Sequence, residues 1–359
     1  MKENSKKNVN IYFNIGFDFL ASLIRLEHDD EIEELKNEYG INGNKDIEKW
    51  VSTVSKSFNS SQKNKLNSYF GTDKPLVSGL FDYYYDLFQE NKIIDITIFL
   101  KKLSKIDEEK LIFYLLNDLY QKDDEISIEI IRKWQNSRDL YEIIENNFDL
   151  TIAGKWNIFR LLSKPAEIKD EIHELLKYYY FTYYRDNEDW VKKYMNEYCQ
   201  NNVSLITKTA FNFFDNFFSS GKNLFDIQKD IVILPVYYGE IMDIFSSERN
   251  YIIIGFNNHK FIEKAFNDKD NIEKQAHIFK ALGDETRLKI FKELLKGPKY
   301  MTELGEKLNV STPTINYHIQ KFLNAGLAQI DKKGNRIYYK ARKDKLKELL
   351  KIIQERFEL

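Results

Sequence analysis

Apolar residues recur with helical spacing along most of this chain, and strand-like runs occur in only a few places. Phe17, Leu20, Leu23 and Ile24 fall on one helical face, followed by the charged run Glu27–Glu34. Ile93–Leu103 is apolar and β-branched, whereas Leu111–Leu119 and Ile126–Trp134 keep helical spacing. Ile168–Tyr184, Trp190–Tyr198 and Val203–Phe218 predict three further helices. The texture then changes. Ile231–Tyr238 and Tyr251–Phe256 are short, β-branched and aromatic, and predict two strands forming a hairpin or small sheet. No repeat of 20–50 residues and no low-complexity tract is present, which argues against a solenoid.

A polar stretch at Asn267–Asn271 separates this region, residues 1–268, from a second pattern over residues 272–359. Helices are expected at Ile272–Leu282 and Asp284–Lys296, with Asp284 capping the second. Leu288, Phe291, Leu294 and Leu295 should face inward, and Gly297-Pro298 stops the helix. Thr302 is the cap candidate for the next helix, which places Leu304 and Leu308 in the core and ends at Asn309. Ser311 caps the following one, where Pro313 is tolerated because first-turn amides have no acceptor within the helix.

Ile315, Ile319 and Phe322 should face the core of that helix. The opposite face then carries Thr312, Pro313, Asn316, Tyr317 and Gln320, with His318 and Lys321 at its edges. Small groups near the N-terminus, followed by amide, hydroxyl and aromatic groups, suit a helix laid in the major groove of duplex DNA. Gly326 ends the helix. Leu327–Asp331 and Arg336–Lys340 then form a hairpin around Lys332-Lys333-Gly334-Asn335, whose basic residues Lys332, Lys333 and Arg336 suit phosphates or a minor groove. Asp344–Phe357 is amphipathic, with Leu346, Leu349, Leu350, Ile353 and Phe357 on one stripe. Nothing else in so small a module covers that stripe, so a second copy of the chain is its expected partner. The fold class expected is mainly α: a large helical N-terminal domain with a small sheet near its end, then a winged helix-turn-helix.

Charge sharpens the division. The net charge of −2 hides 19 Lys and Arg against 11 Asp and Glu in residues 271–359, and 35 against 45 before them. A basic module on an acidic body points to a polyanion bound at one end. The single cysteine, Cys199, excludes an intramolecular disulfide and reads as a small buried hydrophobe. No apolar run reaches the ~20 residues that span a bilayer, and Ile11–Ile24 carries Asp18 without a cleavage pattern, so no membrane partner and a cytoplasmic location are expected.

The second region resembles the DNA-binding domain of ArsR-type winged-helix transcription regulators. The resemblance rests on Leu282-Gly283-Asp284, Thr286-Arg287-Leu288, Ile290, Glu303-Leu304, Ser311, Thr314, His318, Ala325-Gly326-Leu327 and Tyr338-Tyr339, about a quarter of the chain. It implies a homodimeric regulator, a repressor by family habit, with two recognition helices in successive major grooves of a partly palindromic operator. Ser311, Thr312, Pro313, Thr314, Asn316, Tyr317, His318, Gln320, Lys321, Lys332, Lys333 and Arg336 are then the DNA-contact candidates. Metal-sensing relatives place a Cys-x-Cys pair where this chain has Tyr300 and Thr302, and no histidine follows His318 for the second familiar site. No metal and no cofactor are therefore expected. The acidic, aromatic N-terminal part is similar to the extension of long ArsR-like regulators.

His28 amid Glu27, Asp29, Asp30 and Glu31 has the look of a metal site, but such a charge run reads as a solvated helix. Tyr83–Tyr85, Tyr178–Phe181 and Phe211–Phe218 read as core, with a pocket for an apolar effector as the alternative. Phosphate-cradling Gly-rich loops, HExxH, GxSxG and CxxC are all absent, so an enzyme is not expected. Two alternatives stay open: a catalytic N-terminal domain with an appended winged helix, and a winged-helix adaptor for protein. An unidentified small-molecule or protein effector would act at the N-terminal domain.

Overall fold

A computed structural model describes residues 9–71, 76–91, 95–117, 119–120, 126–148, 150–219, 230–267, 272–333 and 336–356. A short strand, β1 (Val9–Ile11), leads into α1 (Ile15–Glu27), whose N-cap Asn14 accepts a hydrogen bond from the Gly16 amide at 3.0 Å. Helix α1 is buried nearly all round and forms the axis of the N-terminal region. Around it follow α2 (Asp29–Glu38), α3 (Lys45–Ser57), α4 (Ser60–Phe70), α5 (Gly79–Asn91) and α6 (Ile96–Leu103). Then come α7 (Glu108–Asn117), α8 (Ile128–Gln135), α9 (Leu140–Asn147), α10 (Ile152–Ser163), α11 (Pro165–Tyr179), α12 (Glu188–Asn201) and α13 (Val203–Phe217). Ile96–Leu103 is helical despite its β-branched residues. Asp95 caps it, and Ile96, Phe99, Leu100 and Leu103 share its buried face.

The expected late strands are present as β2 (Ile231–Val236) and β4 (Tyr251–Gly255), but they are parallel neighbours and not a hairpin. Between them in sequence, β3 (Asp243–Ser246) takes the outer position, and β4 returns antiparallel to it, filling the gap. On the other side β1 pairs with β2 in parallel, giving the order β1-β2-β4-β3. Both central strands are buried on both faces, which is why their sequences are unbroken apolar runs instead of alternating ones.

The sheet is a wall between two cores. Val232, Leu234, Val236, Tyr251 and Ile253 face the helical N-terminal core with Phe17, Phe19, Tyr84, Tyr179 and Tyr184. Ile231, Ile233, Ile252 and Ile254 face the other way, toward α13, α14 (Asn258–Ile262) and the C-terminal region. That region comprises α15 (Ile272–Leu282), α16 (Glu285–Lys296), α17 (Met301–Leu308), α18 (Thr312–Asn324), the hairpin β5 (Ala328–Lys333) and β6 (Arg336–Ala341), and α19 (Lys343–Arg356). The architecture is mainly α with a small mixed sheet, and the winged helix lies at the C-terminal end. The boundary expected at Asn267–Asn271 falls at residues 268–271, outside the described residues. One continuous apolar cluster nonetheless crosses that division, joining Phe213, Phe217, Phe261 and Phe266 to Ile290, Leu304, Phe322 and Leu327.

The aromatic stretches are largely core. Tyr83, Tyr84, Tyr85, Tyr179, Tyr180, Phe213, Phe214, Phe217 and Phe218 are buried, whereas Tyr178 and Phe181 are exposed. Cys199 is free and buried, and burial pushes its thiol up to about 12. His28 contacts Glu31 and the Phe70 carbonyl, each at 2.9 Å. Among the described residues no helix is long and apolar enough to cross a membrane.

Candidate nucleic-acid interface

Asp284 opens the helix-turn-helix by accepting the Arg287 amide at 2.9 Å, a bond that holds its carboxyl below the usual range. Helix α16 buries Ile290, Phe291 and Leu294, while Leu288, expected inside, is 52% exposed. Ile290, Leu294 and Phe291 define the inward face, and at about 100° per residue Leu288 lies about 160° around the helix from Ile290. Thr302 does not cap α17. That helix starts at Met301 with Tyr300 as its N-cap, next to Lys299, whose backbone exchanges hydrogen bonds of 2.9 and 2.7 Å with Tyr339 of the wing. The bridge fixes the chain two residues early and leaves Thr302 inside the first turn.

The turn between α17 and α18 depends on two local features. Asn309 adopts the left-handed conformation (φ 54°), and the Val310 amide returns to the Gly305 carbonyl at 3.0 Å. A Cβ on Gly305 would lie 2.9 Å from the Val310 carbonyl oxygen, so glycine permits the close approach. Ser311 then caps α18, accepting the Thr314 amide at 3.4 Å and meeting the Thr314 hydroxyl at 2.7 Å. Ile315, Ile319 and Phe322 are each fully buried. Their burial fixes the rotation of the helix and turns the other face to solvent. On that face Ser311, Thr314, Tyr317 and Gln320 are exposed, and Thr312, Pro313, Asn316 and His318 are half-buried. Burial lowers the His318 pKa, which favours a neutral ring. Gly326, at φ 69°, ends the element and receives the Phe266 ring against its backbone.

Lys321 sits apart from this open set. Its ammonium lies 2.9 Å from Glu34 and 2.9 Å from Glu38, both on α2, and 5.5 Å from the Tyr317 ring centre. Burial pulls its pKa down, but the two carboxylate bonds outweigh that and leave it raised. The wing is held in a similar way. Lys332 donates to Ser247 at 2.6 Å. Gln329 donates to the Asp215, Asn216 and Phe218 carbonyls at 3.3–3.4 Å, and the Ser219 amide donates to the Ile330 carbonyl at 2.8 Å. Lys333 and Arg336 pair in register at the closed end of the hairpin, and residues 334–335 lie outside the described residues. The sequence candidates thus divide. Ser311–Gln320 forms one open surface, while Lys321 and Lys332 are turned toward the N-terminal region. Sequence reasoning gives Glu34 only as the end of a charged run and does not single out Glu38 or Ser247; for the two carboxylates the signal is the opposite charge of the two regions.

On α19, Leu349 is buried and Leu346 packs against the chain's own core, whereas Leu350 is 52% exposed. The Leu346 and Leu349 part of the expected dimer stripe is thus occupied within the chain, because the helix turns that edge onto its own domain. The Ile353 side chain and Phe357 lie outside the described residues. Among the described residues, no group of three or more His, Cys, Asp or Glu is placed to hold a metal ion.

Residues 284–329, from the Asp284 cap to the first wing strand, match the model of the bacterial regulatory protein arsR family. An uncharacterised HTH-type transcriptional regulator of Methanocaldococcus jannaschii is 36% identical over 87 residues, covering 24% of this chain and 98% of that protein. The cadmium resistance transcriptional regulatory protein CadC homolog of Staphylococcus aureus is 34% identical over 83 residues, 23% of this chain and 69% of that one. Transcriptional repressor SdpR of Bacillus subtilis is 35% identical over 63 residues, 18% of this chain and 70% of that one. No solved structure gives a significant match. The similarity is confined to the C-terminal part. Through that part, whose caps, turn and recognition helix are described above, the chain belongs to the ArsR family of HTH-type transcriptional regulators.

Proposed function

We propose that this regulator binds duplex DNA sequence-specifically and represses transcription as a homodimer on a partly palindromic operator. The observation that carries the reading is the geometry of α18. Three fully buried side chains hold a Ser311-capped helix so that Asn316, Tyr317 and Gln320 share its outer face. The amides of Asn316 and Gln320 have the donor–acceptor pair that adenine presents in reverse, and the first-turn amides of α18 beyond the one Ser311 caps suit a phosphate. Leu350 on α19, with Ile272 and Phe279 on α15, supplies exposed apolar surface for a second copy. Tyr300 and Thr302 offer no thiolate, so the control is not the family's thiolate metal sensing.

An effector, small molecule or protein, would act through the N-terminal domain, residues 1–268, and the winged helix over 272–359 would be the DNA-binding domain. A cleft of about 900 Å³ beside β1, lined by Tyr12, Tyr85, Phe88, Lys192 and Arg249, offers such a molecule both aromatic and charged walls. The test is selection of genomic fragments by the full-length protein, followed by titration of a selected site. Asn316→Ala and Tyr317→Ala should each weaken the selected site by ~1–3 kcal/mol and leave arbitrary duplex nearly unchanged. Unchanged affinity for the selected site in both variants would refute the reading.

A further inference from the structure

Helix α2 is an acidic element clamped between the N-terminal body and the recognition helix. It carries six carboxylates and one lysine over ten residues. Its inner carboxylates are satisfied by the body. Arg25, fully buried, binds Asp29 and Glu33, the latter at 2.7 Å. Lys36, also buried, binds Glu33 at 2.6 Å, Glu48 at 3.0 Å and Glu240 at 3.3 Å. Glu34 and Glu38 project from the other side and both take Lys321. Just beyond α2, Tyr39 stacks on His277 of α15 with ring centres 4.7 Å apart, and His277 lies 3.7 Å from Glu38.

Two carboxylates one helical turn apart around a single ammonium reproduce the oxygen cage that a backbone phosphate would supply. Tyr317 and Lys321 are also one turn apart on α18, so Lys321 extends the exposed face downward. With its charge consumed, and further α2 carboxylates nearby, the C-terminal half of α18 presents no free cation to DNA. The wing contacts with Ser247 and the end of α13 hold the same docked arrangement.

Resting on the DNA-binding reading above, we propose that α2 is an autoinhibitory acidic strap: Glu34 and Glu38 occupy Lys321 in place of a DNA phosphate, and full-affinity binding requires the strap to release it. The proposal concerns the free state of the full chain and names the exchange, two carboxylates for one phosphate at a single ammonium.

The test measures anisotropy of a short labelled duplex of arbitrary sequence with the full-length protein, titrated from about 50 to about 200 mM KCl. The double variant Glu34→Gln with Glu38→Gln should bind about three- to tenfold more tightly at the lower salt, with a salt slope steeper by about 0.9 for the added phosphate contact. Lys321→Gln approaches the same contact from the other side. In the wild-type background it should change affinity little, and in the double variant it should abolish the gain. That non-additivity separates a strap from general loosening of the fold, in which all three substitutions would act alike. Wild-type binding that is unchanged in affinity and slope by the double variant overturns the strap and leaves DNA binding intact. Equal weakening by Lys321→Gln in both backgrounds also overturns it. If neither protein binds any duplex, the DNA-binding reading fails and the strap fails with it.

Discussion

Helices α2 and α18 touch through Lys321, and they are held in place by opposite means. Helix α18 has no carboxylate and is anchored by Ile315, Ile319, Phe322 and Leu323, all at most 1% exposed. Helix α2 has no fully buried apolar side chain, and its one buried residue is Lys36. Apolar burial is insensitive to ionic conditions near neutral pH, whereas a charge-anchored helix responds to salt, pH and the loss of a single partner. Helix α18 is therefore built to keep its shape. The element lying against it is built so that modest changes in conditions can alter its hold.

The largest test of this contrast is Phe322→Ala, which should cost ~3–5 kcal/mol by denaturant unfolding; a loss below ~1 kcal/mol would mean that α18 is not anchored by its core. Lys36→Met comes next. It strands Glu240, which is fully buried, beside Glu33 and Glu48, and should cost about 3 kcal/mol. An unchanged midpoint would show that α2 is not anchored by charge.

The body also contains a buried carboxyl whose protonation can be followed through the pH dependence of stability. Asp18 is fully buried, accepts the Tyr237 and Tyr238 amides at 2.5 and 2.9 Å and the Tyr184 hydroxyl at 2.6 Å. Burial outweighs those bonds and raises its pKa to about 6. The folded chain thus holds this proton more tightly than the unfolded chain, so its contribution is full below about pH 4 and is lost as pH rises through about 6. Asp18→Asn should remove that dependence. Its stability relative to wild type should improve by about 2–3 kcal/mol between pH 4 and pH 7, measured by thermal unfolding. A constant difference across that range would refute the shift. The smallest effect is Ser311→Ala, about 1 kcal/mol, expected as a small drop in unfolding midpoint with α18 otherwise intact.

What could be read in advance was what the chain encodes locally. Asp284, Gly297-Pro298, Ser311 and Gly326 mark helix ends within a few residues of the atoms they satisfy, and the winged helix follows from them. Leu288 and Thr302 were misplaced because the rotation and start of a helix depend on what it packs against, the second being fixed by the distant Lys299–Tyr339 bridge. The sheet was half legible. Two apolar runs announced strands, but parallel pairing and the three-residue β1 leave no local signature. The run Glu27–Glu34 reads as a solvated face on composition alone, since nothing nearby in sequence announces Lys321 as the partner of Glu34.

The pairing of Val9 with Ile231 also sets a schedule for synthesis. A ribosome adding about 5–20 residues per second needs roughly ten to forty-five seconds between those two positions. Throughout that interval β1 has no neighbour, and α1 must wait for the strand ends against which Asp18 closes. The winged helix follows the sheet along the chain and completes the apolar cluster that α13 and α14 begin on the sheet's second face. Nascent chains stalled before residue 272 should therefore be the species that chaperones retain longest.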